Sequence, residues 1–173
     1  MSDQSFLEKT TAAREKLGSV SIIGVESVRI EDVNATLAKI SGIGSFQLMD
    51  ASLILNEEHV RFACFEAIRS FESGENITGS LEMEILVRAA CTSQISEAIG
   101  RLGVRMGTKQ VVLVGLGAGE AENEMAVSLL RGEISSSVFG DNPGKRSRIA
   151  REYKLSEPLE KNLVEKIALM PTG

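Results

Sequence analysis

Between Leu81 and Cys91 the chain reads LEMEILVRAAC, apolar on nearly every side of a helix. A helix without a polar face has to be enclosed by other elements, so this segment must sit inside the fold. Its polar exceptions, Glu84 and Arg88, stand four residues apart and can pair on one helix face. The rest of the chain therefore has to supply walls around it, and the periodicity shows which segments do so.

Three segments read as strands. Val20–Val28 is β-branched and apolar, Phe46–Leu55 is apolar but interrupted by Asp-Ala-Ser, and Gln110–Leu116 (QVVLVGL) is the clearest of the three. Helical spacing recurs in Glu31–Ile40, stopped by Gly42, and in a stripe of Val60, Cys64, Ala67, Ile68 and Phe71 behind an Asn56 cap, ended by Glu72-Ser73-Gly74. Ile95, Ala98, Ile99 and Leu102 predict a short helix stopped by Gly103, all four facing inward. Met125, Ala126, Leu129 and Leu130 predict a buried face on the helix Glu120–Leu130. Lys145–Lys154 is basic and helical after the turn Asp141-Asn142-Pro143-Gly144. Ser156 is expected to cap a last helix, with Pro158 in its first turn. Few strands among many helices predict an α+β fold (α/β in the broad sense): a small, mostly antiparallel sheet covered by several helices. It forms one domain over 18–173, after an N-terminal extension of residues 1–17 that is helical through Phe6, Ala13 and Leu17.

A chain of 173 residues that is 43% hydrophobic can bury a core of its own. No apolar run approaches the ~20 residues needed to cross a bilayer, and Met1–Lys16 holds no apolar leader segment. Cys64 and Cys91 lie in apolar helical stretches and read as free buried thiols, which fits a reducing, cytoplasmic setting. His59 follows Asn56, Glu57 and Glu58 and reads as a solvated first-turn residue. One histidine and two scattered cysteines assemble no zinc set. No Gly-x-Ser-x-Gly elbow supports a hydrolase triad. No catalytic residue, metal or cofactor is expected.

VVLVGLGAGEAE resembles a dinucleotide turn, but Gly115, Gly117 and Gly119 are spaced G-x-G-x-G. Glu120 stands where the third glycine of G-x-G-x-x-G belongs, and Glu122 and Glu124 follow. Carboxylates at that helix end repel a pyrophosphate. Charge patterning says more. The net charge is −5, yet Lys145, Arg146, Arg148, Arg151 and Lys154 against Glu152 give +4, leaving −9 for the rest. Arg101, Arg105 and Lys109 form a second acid-free stretch. Such basic segments are either solvated faces or phosphate-contacting patches. With 4% aromatics and no Trp, a broad base-stacking platform is not expected.

Four features then act together: a helix ending A-I-R-S-F (67–71), the turn N-I-T-x-S (76–80), the helix S-L-x-M-E-I-L (80–86), and Q-I-S-E-A-I-x-x-x-G (94–103). With Lys154-Leu155-Ser156 and the closing Val164–Met170, their order and spacing resemble the small kinase-associated subunit of the KEOPS (EKC) complex, in its archaeal form; the family includes the human PRPK-binding protein. The resemblance covers about two thirds of the chain. It implies a non-catalytic regulatory subunit of a complex that installs threonylcarbamoyladenosine on tRNA. Such a subunit binds and stimulates an atypical kinase/ATPase and helps recruit tRNA by its 3′ CCA end. On that reading Asn76, Ser80, Gln94, Arg101, Lys145, Arg146, Arg148 and Arg151 are candidate RNA contacts. Leu159, Leu163 and Ile167, spaced every four residues, are a candidate kinase interface or the end of the domain's own core. Gly79 and Ser93 stand where the family commonly carries arginines. Two other readings remain: a small nucleotide-binding enzyme using the 111–120 strand and glycine turn, and a homo-oligomeric binding module.

Overall fold

The strand expected at Gln110–Leu116 forms over Val111–Leu116 and is the centre of the molecule. The computed structural model describes residues 11–173. Their elements run α1 (residues 11–17), β1 (Val20–Glu26), α2 (Val33–Ser41), β2 (Phe46–Asp50), α3 (Glu57–Ser73), α4 (Leu81–Ala89), α5 (Ile95–Leu102), β3 (Val111–Leu116), α6 (Glu120–Leu130), β4 (Glu133–Ile134), α7 (Pro143–Tyr153) and α8 (Leu159–Ala168). Short 3-10 turns lie at Ala51–Leu53 and Ser136–Phe139. The sheet is antiparallel throughout, in the order β2-β3-β1-β4. Its registers pair Val20 with Leu116 and Val25 with Val111 on one side of β3, and Phe46 with Gly115 on the other.

Alternation along β3 divides the core in two, because successive strand side chains point to opposite faces. Val112 and Val114 join Met49, Val60, Cys64 and Ile85 on the face covered by α3, α4 and α5. Val111 and Leu113 join Val25, Leu48, Ile40, Ala126 and Leu130 on the face covered by α2 and α6. A third cluster, below α7 and α8, gathers Leu55, Cys91, Ile149, Tyr153, Leu159, Leu163 and Ile167. Of the N-terminal extension, Ala13 is buried and Leu17 packs against the first cluster. The expectation for Phe6 lies outside the described residues.

Local chemistry sets the boundaries. Asn56 caps α3 by accepting from His59 N–H at 2.9 Å, and Gly74 ends it at φ 68°, a left-handed conformation that suits glycine. The expected strand through Leu55 stops at Asp50, whose Oδ1 accepts from Ser52 N–H at 2.9 Å and turns the chain into a 3-10 turn. Ser156 does not cap α8 as expected: Pro158 holds the N-cap position, Glu157 Oε2 before it accepts from Leu159 N–H at 2.9 Å, and Ser156 O accepts from the side-chain amide of Asn162 at 2.8 Å. Both cysteines are free and buried, and burial pushes each thiol up to about 12.

α4 is enclosed as its sequence requires. Glu84 and Arg88 are 0% and 1% exposed at the side chain and pair at 2.9 Å. The Glu84 carboxylate also accepts from Ile77 N–H (2.9 Å), Thr78 N–H (2.8 Å), Thr78 Oγ1 (3.0 Å) and Ser70 Oγ (3.2 Å). It therefore fixes the turn between α3 and α4.

Candidate functional site

Two basic stretches far apart in sequence meet in space. The C-terminal end of α5 brings Arg101, the following loop brings Arg105, and α7 brings Arg148 and Arg151, all lining one cleft of about 400 Å³. Its floor is the 3-10 turn after β2, with Asp50, Ser52 and Leu53. Arg101 is held from three sides: Nη1 donates to Ala90 O at 2.7 Å, Nη2 pairs with Glu97 at 2.5 Å, and the guanidinium lies 5.6 Å from the Tyr153 ring centre. The ion pair lies within α5, and the cation–π contact links α5 to α7. Arg105 spends one donor on Gly100 O. Arg148 has no ion pair among the described residues, and Arg151 has only a long contact with its neighbour Glu152, at 3.9 Å. Exposed guanidinium donors without partners can take the oxygens of a phosphate in a fork geometry.

The remaining candidate RNA residues are used differently. Arg146 is locked between Glu160 (2.6 Å) and Glu157 (2.9 Å), with Asp141 at 3.7 Å. The hydrogen bond it donates to Glu160 is the largest reason its pKa rises, and the same bond holds the Glu160 carboxyl below its usual range. Arg146 ties α7 to α8. Lys145 is 8% exposed, and its ammonium donates to Val138 O at 3.0 Å. Asn76 donates to Thr78 O and shapes the turn, while Ser80 caps α4 by accepting from Met83 N–H. Gln94 is exposed at the start of α5 and makes no side-chain cap. Asn76, Ser80 and Gln94 line none of the arginine cleft. Arg105, absent from the candidate RNA contacts, belongs to the cleft; its acid-free surroundings were its only sequence signal.

Leu159, Leu163 and Ile167 are 1%, 1% and 0% exposed within the chain itself. They pack on Leu55, Ile149 and Tyr153, so the stripe of α8 completes the domain's own core and offers no apolar surface to a partner. Each buries a side chain worth roughly 1.5–3 kcal/mol of transfer free energy. Exposed apolar surface lies elsewhere. Met125 was expected inside but is 55% exposed, because it sits on the solvent edge of α6. With Ile43, Ala121 and Leu129 it lines an open groove of about 730 Å³ between α2 and α6, rimmed by Lys39 and Glu124. Ile95 and Ile99 were also expected inside and are 44% and 48% exposed; only Ala98 and Leu102 of that helix face the core.

His59 corrects a further expectation. It is 2% exposed because its ring bridges two segments: Nδ1 accepts from Leu55 N–H at 3.1 Å, and Nε2 lies 2.9 Å from Ala89 O. That pairing fixes the neutral tautomer with the proton on Nε2. Burial lowers its pKa from 6.5 to about 4. The unfolded chain therefore binds this proton first as pH falls, so stability is full above pH 6.5 and declines toward pH 4. The loss expected from His59 is about 3 kcal/mol. Urea unfolding at pH 7 and pH 4.5 measures it, with His59→Gln flattening the slope; equal slopes in both proteins would place the acid sensitivity elsewhere.

The glycine turn after β3 carries its own anion. Gly117 adopts φ 70°, and Gly119 N–H donates to the Glu122 carboxylate at 2.9 Å. A side-chain carboxylate thus occupies the helix start where a nucleotide reading needs phosphate. Among the described residues no cluster of three or more His, Cys, Asp or Glu could hold a metal, and no helix is long and apolar enough to cross a membrane.

Residues 26–170 match the family described as "Kinase binding protein CGI-121". The "Regulatory protein Cgi121" of Methanocaldococcus jannaschii is 30% identical over 152 residues, which span 86% of this chain and 95% of that protein. The "KEOPS complex subunit Cgi121" of Pyrococcus abyssi is 39% identical over 59 residues, 34% of each chain. With most of its length matched in family and in relative, this chain belongs to the CGI-121 family of kinase-binding proteins.

Proposed function

We propose that this chain is a non-catalytic regulatory subunit of a KEOPS-type assembly. It docks on and stimulates the atypical kinase/ATPase subunit, and it helps hold the tRNA that the assembly modifies with threonylcarbamoyl. The observation that carries this reading is the open apolar groove between α2 and α6 in a chain whose family is described by kinase binding. The groove replaces the α8 stripe as the docking surface: Met125 and Leu129 offer an anchor, and Lys39 and Glu124 supply a polar rim. An apolar centre inside a polar rim is the usual anatomy of a protein interface. Mixing the chain with the small kinase of its own genome on a sizing column tests it: co-elution is expected, and separate elution at micromolar concentrations counts against the reading.

The arginine cleft supports the second half of the role. RNA is held mainly through phosphate contacts, each adding about 0.7–0.9 to the slope of log affinity against log salt. Arg105→Glu, Arg148→Glu and Arg151→Glu combined should therefore weaken tRNA binding and flatten that slope by about 2. Arg146 is left intact because reversing it would separate α7 from α8. An unchanged slope with an unchanged melting curve would reduce the cleft to a solvated face. Removing the 3′ CCA from the tRNA asks separately whether that end is what is recognised.

A further inference from the structure

Arg148 stands between two openings. On one side is the arginine cleft; on the other is a polar cavity of about 450 Å³ whose walls include Asp50, Thr108, Lys109, Asn142 and Lys145 as well as Arg148. The acids of this cavity are already engaged. Asp50 accepts from Ser52 N–H through Oδ1 (2.9 Å) and from Thr108 Oγ1 through Oδ2 (2.8 Å), so it is fixed as wall. Asp141 lies at the rim, 72% exposed at the side chain and 3.7 Å from Arg146.

The cations are not matched. Lys145 is 8% exposed and directs one of its three N–H donors to Val138 O. Arg148 follows it by three residues on the same helix, close to one turn, and has no ion pair among the described residues. Lys109 stands exposed at the mouth. Burial first, and the neighbouring Arg148 second, lower the pKa of Lys145, with Asp141 opposing weakly. A buried ammonium beside an exposed guanidinium is stabilised by an anion in the space they share. A buried ammonium and a guanidinium fork together suit a tetrahedral oxyanion.

We propose that this cavity is a binding site for a phosphate group, held by the Lys145 ammonium and the Arg148 guanidinium with Lys109 at its mouth. The site adjoins the arginine cleft, with Arg148 lining both, and stands whether or not that cleft carries RNA. Its phosphate comes either from a nucleic-acid backbone entering past Arg148 or from a free phosphate or phosphorylated small molecule.

The test follows the side-chain NMR signals of Lys145 in the full-length protein, titrated with inorganic phosphate against sodium chloride at matched ionic strength. Saturable shifts are expected, with the titration midpoint of Lys145 moving upward once the anion is bound. Arg148→Ala should weaken phosphate about tenfold to a hundredfold, the loss of a charge-assisted contact. Arg151→Ala, which touches only the neighbouring cleft, should leave it unchanged. A parallel titration with tRNA separates the sources. If tRNA moves the Lys145 signals, in competition with phosphate or alone, the phosphate belongs to RNA; if phosphate saturates the cavity without altering tRNA affinity, it is a free one. The proposal is overturned if neither phosphate nor tRNA moves Lys145 more than chloride does. If the unaltered chain binds phosphate at Lys145 but no tRNA at all, the cavity stands and the RNA reading of the arginine cleft fails.

Discussion

Glu84→Leu is expected to destabilise the protein by about 3–5 kcal/mol, the usual cost of removing one partner from a buried charge pair. That is a large part of the ~5–15 kcal/mol that holds a domain of this kind together. The reason is the number of groups left without a partner. Arg88 would be buried with no carboxylate, and the N–H groups of Ile77 and Thr78 would lose their acceptor, while the Ser70 and Thr78 hydroxyls keep Ala67 O and Ser80 O. Arg88 Nη1 is already the one fully buried side-chain nitrogen or oxygen without a partner among the described residues, so the guanidinium has no reserve. Arg88→Met should cost less, because the carboxylate keeps its four other donors. Combining Glu84→Leu with Arg88→Met should recover part of the single loss, the buried guanidinium charge being gone while the turn amides stay unsatisfied. Urea unfolding midpoints decide the order. A Glu84→Leu protein within ~1 kcal/mol of wild type would mean that the pair contributes only to specificity.

This pair was legible in the sequence, and the reason is instructive. Four-residue spacing and all-round apolarity are local facts, so Glu84 and Arg88 could be paired and buried without knowing what surrounds them. The central strand was legible for the same reason. What covers a helix face is not local. Leu159, Leu163 and Ile167 show the same pattern whether they meet their own core or a partner, and here they meet Leu55 and Tyr153. The pattern of Ile95, Ile99 and Met125 likewise showed a face and not its cover. His59 looked solvated because its near neighbours are charged, whereas its ring is claimed by Ala89, thirty residues away.

The candidate site divides along the same line. Both basic stretches were visible as charge, but their convergence on the turn after β2 is tertiary. So is the withdrawal of Arg146, whose partners Glu157 and Glu160 lie on the next helix. Counting charges therefore overestimated the available surface in α7, and Arg105, although counted in the second basic stretch, was left out of the candidate RNA contacts. Of the four cations expected from α7, Lys145 and Arg146 do not line the cleft, and Arg105 joins it from another segment.

Met125→Asp is expected to leave the isolated chain folded and to abolish kinase binding. The first half follows from exposure: at 55% exposed, an aspartate there keeps most of its water. The second follows from docking, which would strip that water and bury a carboxylate against apolar surface with no partner to receive it. Such burial costs several kcal/mol, while a micromolar complex holds only about 8 kcal/mol and every 1.4 is a factor of ten. Affinity should fall by at least about a hundredfold. Leu163→Asp provides the contrast, since Leu163 is 1% exposed in the chain itself and its carboxylate would be buried by folding, not by binding. That protein should melt at a lower temperature or fail to fold before any partner is added. Melting curves and a kinase pull-down on the two variants thus separate groove from core. A Met125→Asp protein that melts normally and binds undiminished would move the docking surface away from α2 and α6, and the exposed Ile95 and Ile99 of α5 would become the next apolar face to charge.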